Sequence, residues 1–166
     1  MKNERFEKIY KKSIKLYGLY FKHDFNHENY IINWYINKKE EKVSIKEIND
    51  SILSSEIINV RNYKFEIYKF QIKHLTPIEL DENYNMLPQE ELFLYECGLS
   101  MSYFNEEGEF FEISGIFELC DKDIKVVNER YAYLKKLVES KNIDMILSEI
   151  ELYIDNKIND IENMLN

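Results

Sequence analysis

The sequence has few of the residues that mark cross-links, chain breaks or membrane spans. Its 166 residues include two cysteines, two prolines and four glycines. Two cysteines do not make the disulfide framework of a small secreted domain, and so few glycines and prolines leave little room for flexible linkers. No run of about 18 apolar residues is present, and Met1–Tyr10 has no apolar signal core. These absences predict one domain over residues 1–166, located in the cytoplasm, with no membrane contact.

Basic residues are missing from the middle of the chain. From Leu75 to Asp121 there is no Lys or Arg, although this stretch contains twelve acidic residues. Residues 1–74 carry 15 Lys and Arg against 10 Asp and Glu, whereas residues 75–166 carry 7 against 21, and the net charge is −9. Either the two halves pack together and neutralise each other, or the acidic half forms a surface for a basic partner.

Aromatic residues are abundant in the sequence, and its apolar residues follow regular spacings. Aromatic residues make up 14% of the chain, which argues against disorder, and apolar residues recur at helical or alternating spacing. The predicted elements are a helix over 4–17 that ends at Gly18, a segment over 19–25 that fits helix or strand, a strand over 30–36, a turn over 37–41, a helix over 45–55, a strand over 63–74, a loop over 75–89, a hairpin over 92–120 and two helices after residue 121.

Three local signals fix these elements in more detail. Ser44-Ile45-Lys46-Glu47 matches the capping box of a helix start and favours the helix over 45–55. The alternation of the strand over 63–74 changes phase near Tyr68, which predicts a bulge. The short link Ser140-Lys141-Asn142 makes the last two helices antiparallel neighbours, with Asp121 or Asp123 capping the first and Asn142 the second. The predicted fold class is α+β, a mainly antiparallel sheet with an N-terminal helix and a C-terminal antiparallel helix pair packed on one face.

The hairpin gives the candidate site. A three-residue loop ending at Gly108 sets a register in which Glu96 falls opposite Glu118, Ser102 opposite Glu112 and Ser100 opposite Ser114. Like charges facing each other across two strands are unfavourable by a few tenths to about 1 kcal/mol. Either both carboxylates are solvated and harmless, or they belong to a negative patch, or they act as an acid/base pair. The candidate partner-binding residues are Glu96, Glu112 and Glu118, with Glu106, Glu107 and Asp121 on the rim.

Chemical motifs are weak elsewhere in the sequence. His23 and His27 have the i, i+4 spacing of zinc ligands on a helix, but two surface histidines are the commoner meaning, so we expect no metal and no cofactor. Cys97 and Cys120 fall on opposite faces of the hairpin and are expected to stay reduced. The lysines near the N-terminus are expected to form a solvated helix face and not to bind nucleic acid directly, because the net charge opposes it; they are Lys8, Lys11, Lys12 and Lys15.

No motif names a family, but the general profile resembles that of toxin-immunity and phage anti-defence proteins, anti-CRISPR proteins included. Such proteins are small, acidic and enzyme-free, and the resemblance involves no diagnostic residues. It implies a cytoplasmic inhibitor of a basic protein, such as a nuclease or another nucleic-acid-binding protein. Two alternatives stay open. One is a small enzyme whose site combines carboxylates of the outer sheet face with His74, and the other is a self-associating structural or assembly protein.

Overall fold

The described part of the protein is an α+β structure in which three helices accompany a four-stranded antiparallel sheet. The computed structural model describes residues 4–23, 48–75, 78–89 and 91–164. In chain order, the elements in these residues are α1 (Glu4–His23), β1 (Ile48–Val60), β2 (Tyr63–Leu75), β3 (Glu91–Phe104), β4 (Phe110–Asp121), α2 (Ile124–Glu139) and α3 (Ile143–Met164). The strands lie in the order β1-β2-β3-β4, so each strand pairs with its neighbour in sequence. The predicted fold class is confirmed.

The main core lies between the helices and one face of the sheet. Phe65 and Ile67 of β2 and Leu99 and Met101 of β3 face it, as do the apolar stripes of α2 and α3. The backbone N–H of Lys125 donates to the Asp123 carboxylate at the start of α2, as predicted for this cap. At the start of α3 the N–H of Met145 donates to Asn142 Oδ1 at 3.2 Å. The side chains of these apolar stripes, namely Val127, Leu134, Leu137, Val138, Ile146, Leu147, Ile150, Ile154, Ile158 and Ile161, are buried.

Helix α1 is longer than predicted. It continues through Gly18 to His23, so the residues that fitted either helix or strand are helical as far as His23. Gly18 has no atom within 4 Å of the position where a side chain would begin. A glycine in a helix interior costs about 1 kcal/mol, which the packing of α1 outweighs: Phe6 places its ring against those of Tyr63 and Tyr103 in the sheet.

The predicted helix over 45–55 is wrong where the structure describes it. Residues 48–60 form β1, which pairs with β2 along its length, from Ile48 opposite His74 to Val60 opposite Tyr63. Hydrogen bonding along a strand of 13 residues overrides a helical pattern of four apolar residues, because local propensity is a weak determinant against tertiary pairing. The capping box, the predicted strand over 30–36 and the turn over 37–41 lie outside the described residues.

Strand β2 is confirmed, but the predicted bulge near Tyr68 is wrong. Its pairing with β3 is continuous, and the irregularity lies in β1 between Ile52 and Ser54. The alternation changes phase because both faces of the sheet are buried at this end of β2. Ile72, Leu94 and Cys120, with Phe70 beside them, form a second apolar cluster on the face opposite the main core.

Candidate functional site

The β3–β4 hairpin does not bring the six predicted site residues together. Glu106 and Glu107 lie exposed in the turn, and Glu112 lies exposed on β4 opposite Ser102, as predicted. The other three residues lie at the far end of the hairpin, and they are Glu96, Glu118 and Asp121. Because a strand advances about 3.3 Å per residue, the nearest members of the two groups, Glu112 and Glu118, are roughly 15–20 Å apart, and the acids of the turn lie farther away. The acidic residues therefore form two separate sites.

The predicted facing of Glu96 and Glu118 is wrong. The register holds from the turn to Met101, opposite Ile113, and then shifts twice, so that Ile116 faces Leu99 and Cys120 faces Glu96. Two residues of β4 have left-handed backbone, Gly115 with φ of 71° and Phe117 with φ of 57°. An extra residue with such a φ is characteristic of a β-bulge. Glu96 and Glu118 are therefore diagonal neighbours and not a directly facing pair.

The bulges place Glu118 in a half-buried position beside Tyr68. A Cβ atom built on Gly115 would lie 2.6 Å from Glu118 Oε1, and one built on Gly98 would lie 2.7 Å from Tyr68 Cζ. Both distances are too short for real contacts. Two of the four glycines in the chain thus make room for this carboxylate and this phenol.

The pKa values of Glu118 and of the tyrosines near it are shifted mainly by burial. Burial raises the pKa of Glu118, and Lys157 acts in the opposite direction. Burial first, and the nearby Glu118 charge second, raise the pKa of Tyr20 to about 12 and shift the pKa of Tyr68 upward. Burial also raises the pKa of Tyr153, with smaller contributions from Tyr20 and Glu118. The three phenols are therefore neutral at physiological pH, and Glu118 lies among uncharged hydroxyls, with the Glu96 charge also acting on Tyr68.

A pH-dependent stability follows from the raised pKa of Glu118. The carboxyl group favours the folded state while it is protonated, below its ordinary pKa of 4.5, and this contribution is lost as pH rises through the folded-state pKa. Glu118→Gln should therefore gain stability relative to the wild type between pH 3.5 and pH 7, as measured by urea unfolding. Glu106→Gln controls for the loss of one exposed carboxylate. A stability difference between Glu118→Gln and wild type that does not change with pH contradicts this reasoning.

The turn between β3 and β4 carries an exposed aromatic pair among acids. Phe104 and Phe110 face each other with ring centroids 5.0 Å apart, and their side chains are 50% and 51% exposed. Asn105 holds the turn, because its Oδ1 accepts the N–H groups of Glu107 at 3.0 Å and Glu109 at 2.8 Å. We call this surface the acidic tip; it comprises Phe104, Phe110, Glu106, Glu107, Glu109 and Glu112.

A second exposed surface lies at the other end of β3, in the loop that follows β2. The Leu80–Met86 bridge closes the loop, and Asp81 Oδ1 accepts the N–H groups of Asn83 at 2.8 Å and Asn85 at 2.9 Å. These hydrogen bonds from the backbone hold the pKa of Asp81 below its usual value. Sequence reasoning assigned no role to this loop, although five large apolar residues among prolines, asparagines and acids were a readable signal.

The acids of α3 are matched by bases of α1. Lys12 Nζ lies 3.0 Å from carboxylate oxygens of both Glu151 and Asp155. Further pairs run along the two helices, namely Arg5–Asp144 at 3.4 Å, Lys8–Glu151 at 3.8 Å and Lys15–Glu162 at 3.1 Å. The hydrogen bond to Asp155 is the largest contribution to the raised pKa of Lys12. In this part of the molecule the basic and acidic halves do neutralise each other, and these lysines contact acids of the same chain.

The remaining chemical candidates are the two cysteines and the three histidines. Cys97 and Cys120 are buried, form no disulfide and lie on opposite faces of the sheet, and the placement on opposite faces is as predicted. The Cys97 thiol donates to the Val127 carbonyl at 3.6 Å, and burial raises its pKa to about 11, which disfavours the thiolate. The part of the chain that the structure describes contains no group of three His, Cys, Asp or Glu side chains suited to a metal ion. His27 and the side chains of His23 and His74 lie outside the described residues.

The fold and these surfaces define the protein only by class, as an α+β protein with a helical layer on one face of a four-stranded antiparallel sheet. No family model, no characterised protein and no solved structure matches the chain. Among the helices in the described ranges, none is long and apolar enough to cross a membrane.

Proposed function

We propose that the protein is a binding protein that inhibits a basic, nucleic-acid-handling protein by covering its functional surface. The observation that carries this proposal is the acidic tip, where two half-exposed phenylalanine rings are surrounded by exposed glutamates on a rigid turn. Exposed aromatic side chains supply the apolar centre of an interface. Surrounding acids steer a basic partner and reject acidic ones. This combination is what an immunity or anti-defence protein needs to occlude a nuclease.

The local concentration of negative charge supports this choice of surface. The acids of α3 contact bases of α1 within the molecule, whereas the acidic tip lies in the stretch from Leu75 to Asp121, in which every Asp, Glu, Lys or Arg position is an acid. A concentration of charge of one sign attracts an oppositely charged partner at a distance.

The enzyme alternative has one observation in its favour, which is Glu118. A half-buried carboxyl group with a raised pKa among neutral tyrosines is suited to general acid catalysis. The Glu118→Gln variant discriminates the two functions, because it removes the acid and leaves the acidic tip intact. Under the inhibitor proposal, Glu118→Gln keeps full binding and inhibition.

Charge reversal at the tip tests the proposal. Affinity enrichment with the wild type should recover a basic protein whose association slows as salt rises. Glu106→Lys with Glu107→Lys should weaken that complex about tenfold or more, through lost attraction and new repulsion. It should also relieve inhibition of the recovered protein's activity. Both residues are exposed, so the melting temperature should be unchanged.

The matched control is Glu129→Lys with Asp160→Lys, which changes the net charge equally at exposed positions of α2 and α3. Asp155 does not serve as a control, because it pairs with Lys12. Equal weakening by both double variants means that net charge alone governs binding and removes the tip from the proposal. No weakening by either variant eliminates the acidic inhibitor altogether.

A further inference from the structure

The loop between β2 and β3 exposes an unusual amount of apolar surface. Tyr84 is 84% exposed and Met86 is 65% exposed, and Ile78, Leu80 and Leu87 are exposed as well. All five side chains lie within the ten residues 78–87. Isolated exposed apolar residues are ordinary, but a contiguous group of them marks an interaction site. The loop therefore has the composition of an interface and not that of a solvated connection.

The backbone of this loop is ordered by its own hydrogen bonds. The Asp81 N–H donates to the Asn85 carbonyl at 2.9 Å, and the Leu87 N–H donates to the Glu79 carbonyl at 2.8 Å. Tyr84, at the tip, has a left-handed φ of 63°, a conformation uncommon for tyrosine. A loop fixed before binding loses little conformational entropy when it docks. The apolar side chains thus extend from a backbone that its own hydrogen bonds hold in place.

The charge around the loop selects the kind of partner. Glu79, Asp81 and Glu82 are exposed beside the apolar side chains, and no Lys or Arg lies between Leu75 and Asp121. A second copy of this chain would bring these acids close to like charges on a molecule of net charge −9, which is unfavourable. A surface with an apolar centre and a rim of Lys or Arg complements both features.

We propose that residues 78–87 form a docking loop that inserts Leu80, Tyr84 and Met86 into an apolar cleft rimmed by basic side chains on a partner protein. The expectation that the partner is basic rests on the proposed function. It does not depend on the acidic tip, which lies at the opposite end of β3. The protein thus has two binding surfaces, one apolar with acidic neighbours and one acidic with an aromatic centre.

The test uses a defined probe, a 14-residue amphipathic helical peptide of Leu and Lys, with a Leu and Glu peptide as its acidic counterpart. The Leu/Lys peptide should bind the wild type and slow amide hydrogen exchange in residues 79–87, and the Leu/Glu peptide should not. The variant Leu80→Ser with Tyr84→Ser and Met86→Ser should bind about tenfold or more weakly, because it removes the apolar anchors. Its melting temperature should stay that of the wild type, since all three side chains are exposed.

The control variant is Ile14→Ser with Tyr17→Ser and Leu152→Ser, which removes a similar set of exposed side chains from α1 and α3 and should bind like the wild type. Equal binding by the loop variant and the wild type overturns the proposal. A wild-type dimer in sedimentation that the loop variant abolishes also overturns it, in favour of a second copy as the occupant. Glu106→Lys with Glu107→Lys should keep the exchange protection in the loop, which separates a failure at the loop from a failure at the acidic tip.

Discussion

Ile150→Ala should lower the free energy of unfolding by about 2–5 kcal/mol, whereas Leu152→Ala two residues later on the same helix should change it by about 0.5 kcal/mol or less. Ile150 is 0% exposed in the core beneath α3, and Leu152 is 55% exposed on its outer side. Truncating the buried side chain removes apolar contacts and leaves a cavity that the surrounding side chains fill only in part.

Urea unfolding at pH 7 measures both free energies, and the two variants have the same change in composition except for the branching of the side chain. Both alanines also have a favourable helix propensity, so propensity cannot produce the difference. Similar losses of stability at the two positions would contradict the orientation of α3 described above. They would mean that a different face of the helix packs against the sheet.

Gly115→Ala should destabilise the protein by about 2–3 kcal/mol. Gly115 has φ of 71°, and a left-handed residue with a side chain costs about 1–2 kcal/mol. The new methyl group would also lie 2.6 Å from Glu118 Oε1 and 3.1 Å from its Cδ. Because these atoms are the far end of a flexible side chain, the carboxylate can shift, and the added cost is about 1 kcal/mol, the low end for overpacking.

Two other glycines separate the contributions at Gly115. Gly108 has φ of 80° but no atom within 4 Å of a built Cβ, so Gly108→Ala should show the backbone cost alone. Gly18 has neither a positive φ nor a close neighbour, and Gly18→Ala should stabilise α1 by about 0.5–1 kcal/mol. Thermal and urea unfolding should therefore find Gly115→Ala the least stable of the three variants, Gly108→Ala the next and Gly18→Ala the most stable. Equal losses at Gly108 and Gly115 would show that the carboxylate does not contact Gly115.

Elements stabilised by strong local patterns could be predicted from the sequence. The strand over 63–74, the hairpin turn at Gly108 and the two C-terminal helices have alternating or helical apolar spacing with matching turn and cap residues, and the structure confirms them. In these segments the local preference and the tertiary packing agree. The capping residues Asp123 and Asn142 were readable for the same reason, because a cap is a contact between near neighbours in sequence.

Elements that depend on distant partners could not be predicted in the same way. Strand β1 contains Ile48, Ile52 and Leu53 at helical spacing, and only its pairing with β2 makes it a strand. The end of α1 was placed at Gly18 because glycine is common at helix ends, but the aromatic packing of the helix carries it further.

The candidate site was missed for a related reason. A hairpin register predicted from its turn is valid only until the first bulge, and β4 has two. Gly115 was the one available signal, because an isolated glycine within a strand often marks a bulge. Phe117 gave no signal, since an aromatic residue with positive φ is rare. Two unrecognised insertions were enough to move Glu118 from the position opposite Glu96 and to place it beside Tyr68.

The row of ion pairs between α1 and α3 also constrains the order in which the chain can fold. The contacts of Arg5 with Asp144 and of Lys12 with Glu151 each join residues 139 positions apart, whereas the three hairpins join near neighbours. Closing so long a loop has a high entropic cost that must be met before the contact stabilises anything. During synthesis at about 5–20 residues per second, α1 waits roughly 7–30 s for α3 to be made. We therefore expect the sheet to assemble first, with α1 remaining without its acidic partners until α3 has been synthesised.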